Sequence, residues 1–72
     1  MRRAIIEALR AKYEAQIAEA DAVANIYFTS SVGIGEHPQH IEEVDKQIEK
    51  IANAKEKLEV LDEFEPEKGE VL

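Results

Sequence analysis

Apolar residues recur every three or four positions in two stretches of this chain, and a glycine-containing break separates them. In the first stretch Ile5, Ile6, Leu9, Tyr13, Ile17, Ala20, Val23, Ala24 and Tyr27 fall on one broad arc of a helical wheel. A second row lies nearly opposite. Ala4, Ala8, Ala11, Ala15, Ala18 and Ala22 alternate steps of four and three, and Ile26 continues them. Charged residues fill the gaps between the two rows: Arg3, Glu7, Arg10, Glu14 and Asp21 on one side, Lys12 and Glu19 on the other. The second stretch carries a single stripe, Ile41, Val44, Ile48, Ile51, Ala54, Leu58, Leu61 and Phe64, close to a heptad repeat. Val60 lies off that stripe, where a lone exposed Val is unremarkable. Glu42 and Lys46 are spaced for an i,i+4 ion pair.

The breaks have physical reasons. All three Gly and both Pro fall after residue 32. Residues 2–31 contain neither and are dominated by Ala, with Glu, Arg, Lys, Leu and Ile among the rest, a composition that favours helix. Thr29, Ser30 and Ser31 are weak ones, so fraying is expected there. Gly33 suits the left-handed conformation that closes many helices, with Ile34 folding back on Phe28. Pro38 suits the first turn of a helix, where its missing N–H is no loss. Glu65 precedes Pro66 and is steered away from helix. The chain therefore reads as an all-α antiparallel two-helix hairpin over 1–64. Its helices cover about 2–31 and 38–64, its loop about 32–37, and an acidic flexible tail occupies 65–72.

The two helices differ in how many faces they offer. The second helix has one apolar face, enough for one neighbour. The first has a face of large residues, expected to meet the second helix, and a face of small ones left over. The expected hairpin core is Ile6, Leu9, Tyr13, Ile17, Ile48, Ile51, Leu58 and Leu61. Ala8, Ala11, Ala15, Ala18 and Ala22 are then the candidate oligomer interface, a coiled-coil-like seam for close helix approach. The competing explanation is that alanine merely stiffens a solvated helix surface. Tyr13 and Tyr27 read as core residues with wet hydroxyls rather than as a ligand platform. Burying a large aliphatic side chain stabilises by roughly 1.5–3 kcal/mol, and ordering one residue costs on the order of 1.5 kcal/mol. A lone hairpin of this composition comes out near or below zero. The expectation is a homodimer or higher homo-oligomer, a four-helix bundle being the simplest.

Composition adds limits. The chain has 72 residues, a formal charge of -7 and no Cys. That is one small domain without a disulfide or cysteine–metal framework. Acidity is concentrated at the end: residues 1–30 are neutral overall, whereas residues 59–72 hold six acids and one base. Such a tail reads as solubilising, with docking on a basic protein partner as the sharper alternative. Arg2, Arg3 and Arg10 are too few and too interspersed with acids for phosphate binding, so nucleic acid is not an expected partner. No apolar run is long enough to span a bilayer and no basic amphipathic face suits a membrane surface. The first residues reach Glu7 before an apolar core forms, so no signal peptide is expected and the location reads as cytoplasmic.

Chemistry is thinly represented. Gly33-Ile34-Gly35 is half a phosphate loop, without the preceding strand or a Lys-Ser/Thr continuation, and Glu36 would repel an anion. Glu36, His37 and His40 form the one metal-like cluster, with the two histidines three apart. A helix N-terminus disfavours cations, and the Glu-x-x-His pattern of di-iron bundles is absent. The alternative is that His37 caps the second helix and His40 is solvated. Thr29, Ser30 and Ser31 lie near the histidines in sequence, but no oxyanion site or pocket accompanies them. The chain is thus not expected to be an enzyme, and no cofactor is implied.

The turn Val32-Gly33-Ile34-Gly35-Glu36-His37-Pro38 is distinctive. Followed by Ile41-Glu42-Glu43-Val44-Asp45 and Lys55-Glu56-Lys57-Leu58-Glu59, it resembles a group of small uncharacterised helical-hairpin proteins of tailed phages, especially marine cyanobacterial ones. The resemblance covers roughly residues 1–64, and the turn is its specific part. It implies a phage accessory or virion-associated setting, in the host cytoplasm or the virion, and carries no activity or functional residue. The expected function is a non-catalytic helical assembly or protein-interaction module. The alternatives are an adaptor that binds a host or phage protein through its acidic tail, and a loop-histidine metal-binding hairpin.

Overall fold

Two helices pack side by side and run in opposite directions. The computed structural model describes residues 1–30 and 38–65, with α1 spanning Arg2–Ser30 and α2 spanning Pro38–Asp62. The pair measures 52 × 20 × 16 Å. Contacts at its two ends fix the orientation. The ring of Tyr27, late in α1, meets that of His40, early in α2, edge-on with centroids 5.3 Å apart. At the other end Arg10 pairs with Asp62 at 3.4 Å and with Glu65 at 2.7 Å, and the Arg2 guanidinium donates to the carbonyl of Phe64. We call the Tyr27–His40 end the closed end and the Arg2–Phe64 end the open end.

The helix limits follow local chemistry. α1 persists through Thr29 and Ser30 although both are weak formers. The Thr29 hydroxyl donates to the carbonyl of Asn25 at 2.9 Å, which ties the last turn to the one before it. Pro38 opens α2 as expected. The α2 terminus lies two residues earlier than expected, at Asp62 rather than residue 64. There the backbone tightens into i→i−3 bonds: Glu63 N–H to Val60 carbonyl at 3.0 Å, Phe64 to Leu61 at 2.9 Å, Glu65 to Asp62 at 3.2 Å. Ser31, the Gly33 closure and the loop expected over 32–37 lie outside the described residues, as does the tail beyond Glu65.

The seam is centred on small residues. Ala20 and Ala54 are each 1% exposed, and Ile6, Ala24, Gln47 and Leu61 are also buried. On α1 the seam repeats every seventh residue as Ile6, Tyr13, Ala20 and Tyr27, and on α2 as His40, Gln47, Ala54 and Leu61. Counting by sevens from the Tyr27–His40 contact sets Ala20 level with Gln47, Tyr13 level with Ala54, and Ile6 level with Leu61. At the two middle levels an alanine faces a larger residue, which lets the helices approach closely there without a void, and larger residues meet at the two ends. Leu9, Ile17, Val23, Val44, Ile51 and Leu58 flank this line half-buried.

The expected α2 stripe is corrected here. Ile41 is 76% exposed, and Ile48 and Phe64 are about half exposed. His40 and Gln47 occupy the seam in their place. The physical reason is the small diameter of the contact. A single neighbouring helix covers a narrow arc, the seam settles where Ala54 permits the closest approach, and the apolar arc of α2 is wider than what α1 can cover. Ile5 on α1 is likewise half exposed rather than packed against α2. Lys46 pairs with Glu43 at 3.5 Å rather than with Glu42.

Candidate interaction surfaces

Among the described residues, uncovered small and apolar side chains make up three surfaces. The first is the back of α1. Ala4, Ala8, Ala11, Ala15, Ala18 and Ala22 are all exposed, and they lie opposite the buried line of Ile6, Ala20 and Ala24. Ile26, 60% exposed, extends the row toward the closed end. The Arg3–Glu7 pair at 3.8 Å, solvated on both sides, runs along its edge. The five alanines Ala8, Ala11, Ala15, Ala18 and Ala22 therefore stand together on one unpartnered face of the hairpin.

The second surface is a groove of about 840 Å³ at the open end. Met1 with Ile5 and Leu9 of α1, and Val60 of α2 with Phe64 just beyond it, make its walls, above a floor of Ile6, Tyr13 and Leu61. Arg2, Glu56 and Lys57 line it as well. The Lys57 ammonium stands 5.5 Å from the centre of the Tyr13 ring, so its charge is held at the groove by a cation–π contact. Val60 thus belongs to a patch and is not a solitary exposed side chain.

The third surface is smaller, about 390 Å³, and lies at the closed end. Phe28, Ile41, Val44 and Ile48 line it with Tyr27, His40 and Asp45. The helical repeat places it on the opposite face of the hairpin from the groove. Ile41 and Ile48 share a ridge that runs, seven residues at a time, through Lys55 to Asp62, and Asp62 pairs with Arg10. Phe28 lies about five turns beyond Arg10 on the same side of α1. The closed-end patch therefore shares a face with the Arg10–Asp62–Glu65 cluster. The groove uses the other flanks, Ile5 and Leu9 on α1 and Lys57 and Phe64 on α2.

The charged cluster fastens the open end. Arg10 is held above its ordinary pKa, first by its hydrogen bond to Glu65 and then by Asp62, although desolvation opposes this. With Arg2 on the Phe64 carbonyl, two cations sit at the C-terminal end of α2, where the helix dipole favours positive charge.

Of the suggested metal ligands, Glu36 and His37 lie outside the described residues. His40 is half-buried against Tyr27 rather than solvated. Among the described residues no group of three or more His, Cys, Asp or Glu side chains is placed to hold a metal ion. Among the described residues, too, no helix is long and apolar enough to cross a membrane. The Thr29 hydroxyl and the Asn25 amide are both directed at backbone carbonyls of α1.

The sequence pattern pointed to the alanine face and missed the two patches. Their signal was the breadth of the apolar arc on α2 and the position of Val60 one turn before Phe64. No protein-family model, curated protein or solved structure matches this chain.

Proposed function

We propose that this protein is a non-catalytic helical assembly module whose hairpins self-associate. The observation that carries the reading is the distribution of apolar surface. Met1, Ile5, Ile26, Phe28, Ile41, Ile48, Val60 and Phe64 are all exposed, whereas the most fully buried side chains are alanines. Exposed apolar surface on both faces of a two-helix unit calls for a further layer to cover it. Another copy of the same chain is the simplest such layer. The alanine face of α1 supplies the place of closest approach, because small side chains let helix backbones come near. A homodimer built there is a four-helix bundle with α1 at its centre.

In this reading the module serves as a phage accessory or virion-associated protein, in the host cytoplasm or the particle; its support is the resemblance of the Val32–Pro38 turn to tailed-phage proteins. The acidic end of the chain offers a basic host or phage protein a second point of attachment.

Solution mass tests the alanine contact. Ala15→Glu puts a carboxylate in the middle of the exposed row and should lower the weight-average mass at micromolar concentration. Glu49→Ala, on an exposed position of α2, should leave it unchanged. Equal and negligible effects would remove the alanine seam while leaving the hairpin intact. A pull-down comparing the full chain with one lacking residues 66–72 tests the adaptor reading, which requires tail-dependent capture.

A further inference from the structure

We propose that hairpins also join head to tail, the open-end groove of one copy receiving the closed-end patch of the next. The proposal rests on the self-association reading and specifies which surfaces meet. Charge argues for unlike pairing. The groove carries Arg2 and Lys57 against one carboxylate, Glu56. The patch carries Asp45 and no Lys or Arg among its described lining residues. Asp21 lies two turns before Phe28, and Glu42 lies one turn before Asp45.

Groove against groove would oppose Arg2 and Lys57 to their own copies. Patch against patch would oppose Asp45 to itself. Groove against patch sets a net positive apolar surface on a net negative one, the arrangement that selects the correct partner. Both surfaces also carry exposed apolar side chains, Phe28, Ile41 and Ile48 on the patch and Ile5, Val60 and Phe64 on the groove.

Placement determines what such a contact builds. The two surfaces lie at opposite ends and on opposite faces of a body 52 Å long. A copy that fills the groove of its neighbour therefore still presents its own groove to a third. Such a contact cannot be satisfied within a two-fold dimer, so it generates a staggered row, or a ring where its rotation closes.

A complementation experiment on the full chain tests this. Val60→Glu disables the groove and leaves the patch, whereas Ile48→Glu disables the patch and leaves the groove. Both positions are about half exposed, so circular dichroism should show intact helices. Wild-type mass by sedimentation should grow with concentration. Each variant alone should stop growing at the alanine-face dimer, with further association at least about tenfold weaker. An equimolar mixture should regain a mass above that of either variant, because one intact groove then meets one intact patch. Loss in only one variant indicates like-with-like pairing and overturns the head-to-tail contact. Loss in both without recovery on mixing overturns it as well. Undiminished growth in both variants overturns it while leaving self-association standing. A wild type that stays a single hairpin at all concentrations removes self-association and this contact together.

Discussion

Ala54 shows how much one small side chain decides. It is 1% exposed and lies level with Tyr13 across the seam, as Ala20 lies level with Gln47. A larger residue at Ala54 would push α2 away from α1 and loosen the flanking Ile51 and Leu58. Ala54→Leu should destabilise the fold by about 1–3 kcal/mol, the cost of overpacking a close contact. Urea unfolding at fixed protein concentration reads this as a lower midpoint at unchanged slope. An unaltered or higher midpoint would mean that the helices are not held at alanine distance. The central place of Ala54 was only half visible in the sequence. It fell on the apolar stripe, but hydropathy ranks it below Ile48, and the closest approach of two helices depends on size as much as on hydrophobicity. Gln47 was not visible at all, because a polar side chain in a seam is the opposite of what periodicity selects. Its burial follows from its step of seven from Ala54 and His40.

Each helix as a unit was legible. Pro38 marks one boundary, and the absence of Gly and Pro through residue 31 marks the run of the other. The rotation of α2 about its own axis was less so. An apolar arc wider than one neighbour can cover leaves several rotations open, and the choice among them depends on the partner. The C-terminal limit of α2 was two residues off, because its last turn tightens and is then held by arginines from α1. A charge contact between residues so far apart in the chain has no local signature. Arg10 joins α1 to both Asp62 and Glu65. Arg10→Ala should therefore release the end of α2, with faster amide exchange in its last turn and little change around the Tyr27–His40 contact. Hydrogen exchange followed residue by residue distinguishes this from a uniform loss of protection, which would indicate global destabilisation instead.

At the scale of the entire hairpin, α1 presents an exposed alanine face, and the apolar flanks lie at opposite ends on opposite faces. A two-helix unit with its large side chains at the margins gains stability from whatever covers those margins. In the proposed self-association, folding and association are linked, and mass action would make the unfolding temperature depend on how much protein is present. Acid residues toward the end of the chain contribute most of the net charge of -7, which favours solubility. The direct measurement is the thermal unfolding midpoint, followed by circular dichroism across a thousandfold range of protein concentration. Stabilisation by a second copy predicts a midpoint that climbs steadily with concentration. A cooperative transition at one constant temperature, from the most dilute sample to the most concentrated, would show that the hairpin stands alone and would contradict the account.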